Sequence, residues 1–487
     1  MGRTGPRKAD AAAPDFAPTV TGLPRFSRMP VVMHLPRPFV CAAALAACFP
    51  AIAQTVWLPA PTATTPPARE HACMVDDSLR GRIVMHGGID ASGGTLADTW
   101  EFDGVDWQAR STLHVPYSNG NGAMAYDRGR ARVVLWYSYA SAAMTWEYDG
   151  LDWTNVTLPT NPPTSNRNLM VYDASRGVIV MWVQGSGSLG GQTWEYDGIT
   201  WTQRLTVGSP PQRYDAGMVF DPVRGRAILH GGFVYAGSPQ VSWEYNGVAW
   251  SAVPSSFANP DKRDFAFAFD PYRRCAVLFG GSNFPGTPST YEFQSPVWQL
   301  RTSVGPSSRS GAAMAYDLAR EECILFGGRD TATTTVLADT YRYRALNPAI
   351  VAPFGQGCAG TSVAPGLLPQ PYHRPYLGTG FGVRLYSAPF NQPSFVAAGF
   401  SRVSYAGLPL PLPLTSIGMT GCELFVSAEV TLGTAVAGSN ATLTIPLPVV
   451  PALVGTHVYL QGFVFDPGAN PANLVDTRAL DCILGSA

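Results

Sequence analysis

The stretch Thr99-Trp100-Glu101-Phe102-Asp103-Gly104-Val105-Asp106-Trp107 recurs along this chain. Further copies run over 146–153, 194–201, 243–250 and 291–298, and a broken copy begins at Tyr341. Their first aromatic residues are 46, 48, 49, 48 and 50 residues apart. A period of that length marks a repeat architecture, in which each unit buries its apolar face against its neighbours. Asp-Gly is a favoured pair at the centre of a two-residue type I′ hairpin turn, where both positions need positive φ. A turn centred on Asp103-Gly104 puts Phe102 opposite Val105, Glu101 opposite Asp106 and Trp100 opposite Trp107. The same register pairs Trp146 with Trp153, Trp194 with Trp201, Trp243 with Trp250 and Tyr291 with Trp298, each an aromatic cross-strand pair.

Working outward, each repeat contains two earlier strand-like pieces. The first is short and rich in small residues, at 72–75, 123–126, 169–172, 217–220, 266–269 and 312–316. It runs into an aspartate followed three residues later by an arginine: Asp77 and Arg80, Asp127 and Arg130, Asp173 and Arg176, Asp221 and Arg224, Asp270 and Arg273, Asp317 and Arg320. Aspartate at the first position of a tight turn accepts backbone amides, and arginine at the fourth answers its charge. The second piece is almost wholly apolar, as in 83–85, 178–182 and 276–279, which predicts a strand covered on both faces. It ends in a glycine pair in four repeats, at Gly87, Gly231, Gly280 and Gly327, but not in the second and third.

An apolar strand, Gly-Gly, and two aromatics separated by six residues resemble the kelch repeat, the unit of kelch β-propellers and of the propeller in galactose oxidase. The resemblance covers residues 54 to about 349. It implies four-stranded blades set around an axis and no single activity. The sixth repeat has Pro348 where the outer tryptophan belongs, while Trp57 stands 12 residues before Arg69 as Trp201 stands 12 before Arg213. The segment 54–58 is therefore expected to supply the missing outer strand. The fold expected is all-β, a six-bladed kelch-type propeller closed by an N-terminal strand and followed by a small β-sandwich.

Residues 1–53 are expected to lie outside that fold. From Met33 the text reads as a secretory signal, with Arg37, the apolar run 39–49 and the small-residue site Ala51-Ile52-Ala53 before Gln54. This makes Met29 or Met33 the expected start and a secreted location (extracellular, periplasmic or cell surface) the expected one. Of 8 cysteines, Cys41 and Cys48 leave with the signal. A formal net charge of −1 with 14% charged residues presents no basic patch for nucleic acid, and no second apolar run suits a membrane. Beyond about 350 the repeats stop and short strand-like runs appear at 381–385, 395–405, 424–432, 441–445 and 457–465, separated by Pro and Gly. A sandwich over 350–487 is expected there. Gly355-Gln356-Gly357-Cys358, Gly421-Cys422 and the run 455–461 resemble a C-terminal module attached to large secreted bacterial proteins. Cys358, Cys422 and Cys482 allow three single pairings.

Strands in a blade alternate in direction, so the Asp-x-x-Arg turns and the Asp-Gly hairpins share one face. The loops after Gly-Gly lie on the other and vary most, which makes them the expected binding surface. The candidates there are Tyr137, Tyr139, Phe233, Tyr235, Asn283, Phe284, Arg329 and Asp330. No catalytic residue, metal site or cofactor is expected. A copper radical oxidase needs paired His and Tyr ligands, but His86 and His230 fall in second strands, as do Cys275 and Cys323. A glycosidase or sialidase needs one special carboxylate pair, whereas Glu101, Glu147, Glu195, Glu244 and Glu292 repeat and suit acceptors between blades. Gly185-Ser186-Gly187-Ser188-Leu189-Gly190 matches a dinucleotide pattern but precedes a strand, not the helix that chemistry requires. The expected function is a secreted, non-catalytic binding protein for an extracellular polysaccharide or protein, with a carbohydrate-active enzyme as the alternative. A His, Asp and Tyr cluster on the long-loop face would favour the enzyme.

Overall fold

The computed structural model describes residues 55–486 apart from 118–119, 121, 140–141, 157, 165–167, 185–190, 235–240, 255–259, 261, 283–287, 362 and 436. The signal-like stretch and the candidates Tyr235, Asn283 and Phe284 lie outside the described residues. Two short 3-10 turns are the only helical elements among the described residues, and no helix there is long and apolar enough to cross a membrane.

Six four-stranded antiparallel sheets occupy 55–345 among the described residues. The first is built of Cys73–Asp77, Arg82–His86, Thr99–Phe102 and Trp107–Arg110 in sequence order. The inner strands of the others are Ala123–Asp127, Leu169–Asp173, Gly217–Asp221, Ala266–Asp270 and Ala313–Asp317. Each inner strand contacts the next, and the last contacts the first, so the sheets stand around a common axis in the manner of a β-propeller. The sixth sheet takes its outer strand from the other end of the segment: Thr55–Pro59 pairs with Thr340–Ala345, with Trp57 opposite Tyr343.

The hairpin register differs from the sequence expectation. Phe102 pairs with Trp107, and Trp100 faces Ala109. The two central turn residues are Gly104 and Val105, closed by the Asp103 amide donating to the Asp106 carbonyl at 3.2 Å. Only the glycine has positive φ, +92°, which is the sign pattern of a type II′ turn with Gly first. Two causes fix this frame. Asp103 Oδ1 accepts the amides of Val105 and Asp106 at 2.8 and 2.9 Å, and the Arg320 side chain of the neighbouring sheet donates to the Asp103 carbonyl. A Cβ on Gly104 would collide with that guanidinium, and Gly150, Gly198 and Gly247 meet Arg80, Arg130 and Arg176 in the same way. The ring partners are thus Tyr148 with Trp153, tilted, and Tyr196 with Trp201 and Tyr245 with Trp250, stacked, at 5.0 to 5.2 Å between rings.

Two repeated contacts hold sheet to sheet. Each outer-strand tryptophan donates its indole N–H to a buried hydroxyl of the preceding sheet: Trp107 to Thr340, Trp153 to Thr99, Trp201 to Thr145, Trp250 to Thr193, Trp298 to Ser242 and Trp57 to Thr290, at 2.8 to 3.2 Å. The set runs once around the ring. The repeated glutamate works beside it: Glu101 Oε1 receives Arg80 of its own sheet at 2.7 Å and the Tyr148 hydroxyl of the next at 2.9 Å. Tyr196, Tyr245 and Tyr343 reach Glu147, Glu195 and Glu292 likewise. These carboxylates are therefore acceptors between sheets, and each is consumed by its arginine and tyrosine.

Residues 350–486 form a five-stranded sheet ordered Ile350–Phe354, Leu474–Ile483, His457–Phe465, Pro393–Gly399 and Val430–Ala435, and a three-stranded sheet of Gly366–Pro369, Gly380–Tyr386 and Ala441–Pro446. They share one apolar core around Leu367, Val383, Val396, Leu460 and Val475. Two sequence-based strands change: the run 395–405 ends at Gly399, and 424–432 is interrupted between Leu424 and Val430. Cys358 and Cys422 form a disulfide, and Cys482 is a buried free thiol.

Candidate functional site

The inner strands surround two cavities on the axis, about 340 Å³ toward the Asp-x-x-Arg turns and about 210 Å³ toward the Gly-Gly side. Met74, Met124, Met170, Met218, Phe267 and Met314 line both and so stand between them. All six occupy the place three residues before the turn aspartate. Met is unbranched and polarisable, which suits it to filling an irregular axial gap.

The residues from 350 onward cover part of the turn side. Arg374 pairs with Glu321 at 2.6 Å and lies 4.5 Å over the Tyr272 ring. Arg274 donates to His373 Nδ1 at 2.9 Å and to the Gly380 carbonyl at 2.9 Å. Burial and the Arg274 charge push the His373 imidazole down to about 4, so it stays neutral and accepts. Arg128 donates to the Tyr372 hydroxyl at 2.8 Å, which sets that phenol at the rim of the larger cavity.

On the Gly-Gly side the residue six places before the turn aspartate has positive φ in four described repeats: His71, Asp215, Asp264 and Gly311. Backbone bonds join them in series, His71 N–H to the Gly311 carbonyl at 2.7 Å, Gly311 to Asp264 at 2.9 Å, and Asp264 to Asp215 at 2.8 Å. Gly311 has a second consequence. Its missing side chain leaves the space in which the His71 ring crosses the sixth sheet, since a Cβ there would lie 2.6 Å from His71 Nε2. His71 Nε2 thereby reaches Asp264 Oδ1 of the fifth sheet at 3.0 Å. The neighbouring positions form a rim: Tyr214 pairs across a short ribbon with Phe233, and the Arg263 guanidinium stands 6.0 Å over the Phe233 ring. Tyr214 and Phe233 are 37% and 47% exposed.

The candidates named from the loops divide on this geometry. Phe233 lies on the rim. Arg329 also does, held by Glu70 at 2.7 Å. Asp330 is 8% exposed and spends its carboxylate on the amides of Ala332 and Thr333, which hold its pKa down at about 2. Tyr137 is a correction: it is 3% exposed, packed within 6.2 Å of the Tyr117 ring with its hydroxyl toward Met144 Sδ at 3.3 Å. The second sheet lacks the Gly-Gly pair, so its second strand continues to Tyr139 and keeps Tyr137 in the core. Tyr139 ends that strand. The residues missed were Glu70, His71, Tyr214, Asp215, Arg263 and Asp264. Their signal was available as a repeat position, six or seven places before the turn aspartate, carrying polar and aromatic side chains.

The second-strand histidines are core groups. His230 sits between Ser242 Oγ at 3.0 Å and the Pro260 carbonyl at 3.1 Å, and burial lowers it to about 3. Burial lowers His86 to about 4. Among the described residues the one gathering of three potential metal ligands is Cys358, Cys422 and Asp476, and its two sulfurs are already joined to each other.

No protein-family model matches the chain, and no curated protein sequence matches it. Among solved structures it is similar to one titled YjhT, at 12% identity over 57% of this chain and 96% of that one, with a TM-score of 0.43. A fungal alcohol oxidase of the AA5 family in complex with copper shares 13% identity over 89% of this chain and all of that one, at 0.41. The SapL1 lectin in complex with alpha methyl fucoside shares 11% over 55% of this chain and 90% of that one, at 0.38. None of these carries a residue role over to this chain.

Proposed function

We propose that this chain is a secreted, non-catalytic glycan-binding protein whose ligand docks on the Gly-Gly side of the axis. In this reading residues 54–349 are a six-bladed kelch-type propeller, 350–487 a β-sandwich, and 1–53 an extension with a signal peptide. The observation that carries the reading is the exposed Tyr214 and Phe233 pair beside the His71 and Asp264 pair. Aromatic faces stack on the apolar faces of sugar rings, and planar polar groups next to them fix hydroxyls. Arg329 and Glu70 border the same rim.

The test is thermal unfolding of the full chain against a panel of polysaccharides, since a ligand of the folded state raises the midpoint. A shift of several degrees with one glycan, lost in Phe233→Ala and reduced in His71→Gln, is the expected result. No shift across the panel removes the glycan and leaves a protein ligand for the same rim. The enzymatic reading draws on the His71 and Asp264 pair with Tyr214 on the adjoining rim, the residue types set above as the mark of an enzyme, because an imidazole oriented by a carboxylate is a general acid–base arrangement. Release of reducing ends from the bound glycan, abolished in Asp264→Asn, would replace binding by hydrolysis.

A further inference from the structure

The larger axial cavity carries an inference that is independent of the loop-face reading, because it opens on the other side of the methionine ring. One place before each turn aspartate, five inner strands present an aromatic side chain to it: Tyr126, Tyr172, Phe220, Phe269 and Tyr316. The first strand presents Asp76. We propose that this cavity is a binding site for a small alkylated ammonium ion, with Asp76 as its counter-ion and the aromatic rings and thioethers that line it as its wall.

Three features favour a cation. Aromatic rings carry a negative quadrupole on their faces, and aromatic side chains lining a cavity with a carboxylate make an environment that favours quaternary ammonium groups over neutral ones. Asp76 is the acid there without a cation of its own: Asp77 is paired with Arg80 at 2.6 Å and Asp317 with Arg320 at 2.8 Å, while Asp76 has no ion-pair partner among the described residues. Its Oδ1 is buried and accepts no hydrogen bond there. A buried oxygen left in that state calls for a partner. At about 340 Å³ the cavity falls within the range that holds small ligands, about 300 to 1,000 Å³.

Burial and the nearby Asp317 push the Asp76 carboxyl up to about 8, with Asp77 adding to this and Arg128 and the Leu318 amide opposing it. Around neutral pH the empty site therefore holds a proton, and an entering cation exchanges with it: the ammonium pairs with the carboxylate and the proton leaves to buffer. The other titratable groups facing the cavity are Arg128, which donates to the Tyr372 hydroxyl, and the phenols of Tyr126, Tyr172 and Tyr316, whose pKa values burial pushes up.

The experiment is calorimetric titration of the full chain with choline and with its neutral isostere 3,3-dimethyl-1-butanol, at pH 6 and pH 8 in two buffers of different ionisation enthalpy. Choline should bind at least tenfold more tightly than the alcohol, gain affinity from pH 6 to 8, and release about one proton at the lower pH. Asp76→Asn should erase the difference between the two probes, and Asp76→Tyr, which installs the side chain of three other strands, should do the same in a variant that keeps the ring intact. Phe269→Leu should weaken choline severalfold without altering proton release. Equal binding of the two probes overturns the proposal, as does choline binding that survives both Asp76 substitutions, or no binding at millimolar choline.

Discussion

Replacing Thr290 by valine tests whether the indole-to-hydroxyl bonds hold the ring shut. Thr290 is fully buried, and its hydroxyl is the acceptor for Trp57 Nε1–H at 2.8 Å, the one such bond that ties the N-terminal strand to the fifth sheet. Valine has nearly the same shape, so no cavity opens, and the loss is the desolvation of an indole donor that can no longer be satisfied. That costs about 1 to 3 kcal/mol. Unfolding entropy is about 2.1 cal/mol/K per residue, which for a ring of roughly 300 residues gives about 0.6 kcal/mol/K and a midpoint lowered by about 2 to 5 °C. The assay is differential scanning calorimetry of the full chain. Two companions grade the result: Thr145→Val removes the acceptor of Trp201 alone, whereas Thr99→Val removes the partner of both Trp153 and His86 and should cost more. A Thr290→Val midpoint within about 0.5 °C of the parent would refute the reasoning, as would Thr99→Val proving milder than Thr145→Val.

The other expectations follow from the same contacts. Glu292→Gln leaves Arg273, which is almost fully buried, and Arg301 without their shared carboxylate, and should cost about 3 to 5 kcal/mol in chemical denaturation. Glu244→Gln, whose partner Arg224 is 43% exposed, should cost about 1 kcal/mol or less. For Asp76 the folded-state pKa of about 8 lies above the unfolded value, so the folded chain holds the proton more tightly. Stability should fall as pH rises from about 4 to 8, and Asp76→Asn should raise the midpoint at pH 9 while changing little at pH 4; parallel pH profiles for parent and variant would refute this. Removing the Cys358 to Cys422 disulfide, which spans 64 residues, should destabilise 350–487 by about 4 kcal/mol, read as a lower denaturant midpoint for that part of the chain.

Much of this architecture is written locally and therefore legible. A strand covered on both faces must be continuously apolar, and an aspartate three residues before an arginine makes its own turn; neither requires knowledge of what packs against it. Trp57 was readable as an outer strand because its spacing to Arg69 repeats that of Trp201 to Arg213. The hairpin register was not. Asp103-Gly104 and Gly104-Val105 both put a glycine where positive φ is needed, and beside the local Asp103 carboxylate bonds the frame is held by Arg320, which donates to the Asp103 carbonyl 217 residues away and sits against Gly104. Tyr137 was misplaced for a related reason, since a missing Gly-Gly lengthens a strand and moves a loop residue into the core. The site on the Gly-Gly side depends on side chains that only the closed ring brings together: His71 meets Asp264, 193 residues on, because Gly311 between them has no side chain. Asp76 stands between the two cases. The sequence by itself contains one acid at a repeat position that is otherwise aromatic; that these side chains line one cavity, and that the acid there has no ion-pair partner among the described residues, was decided by the tertiary structure, because burial and charge pairing are properties of neighbours that the chain reaches only by closing on itself.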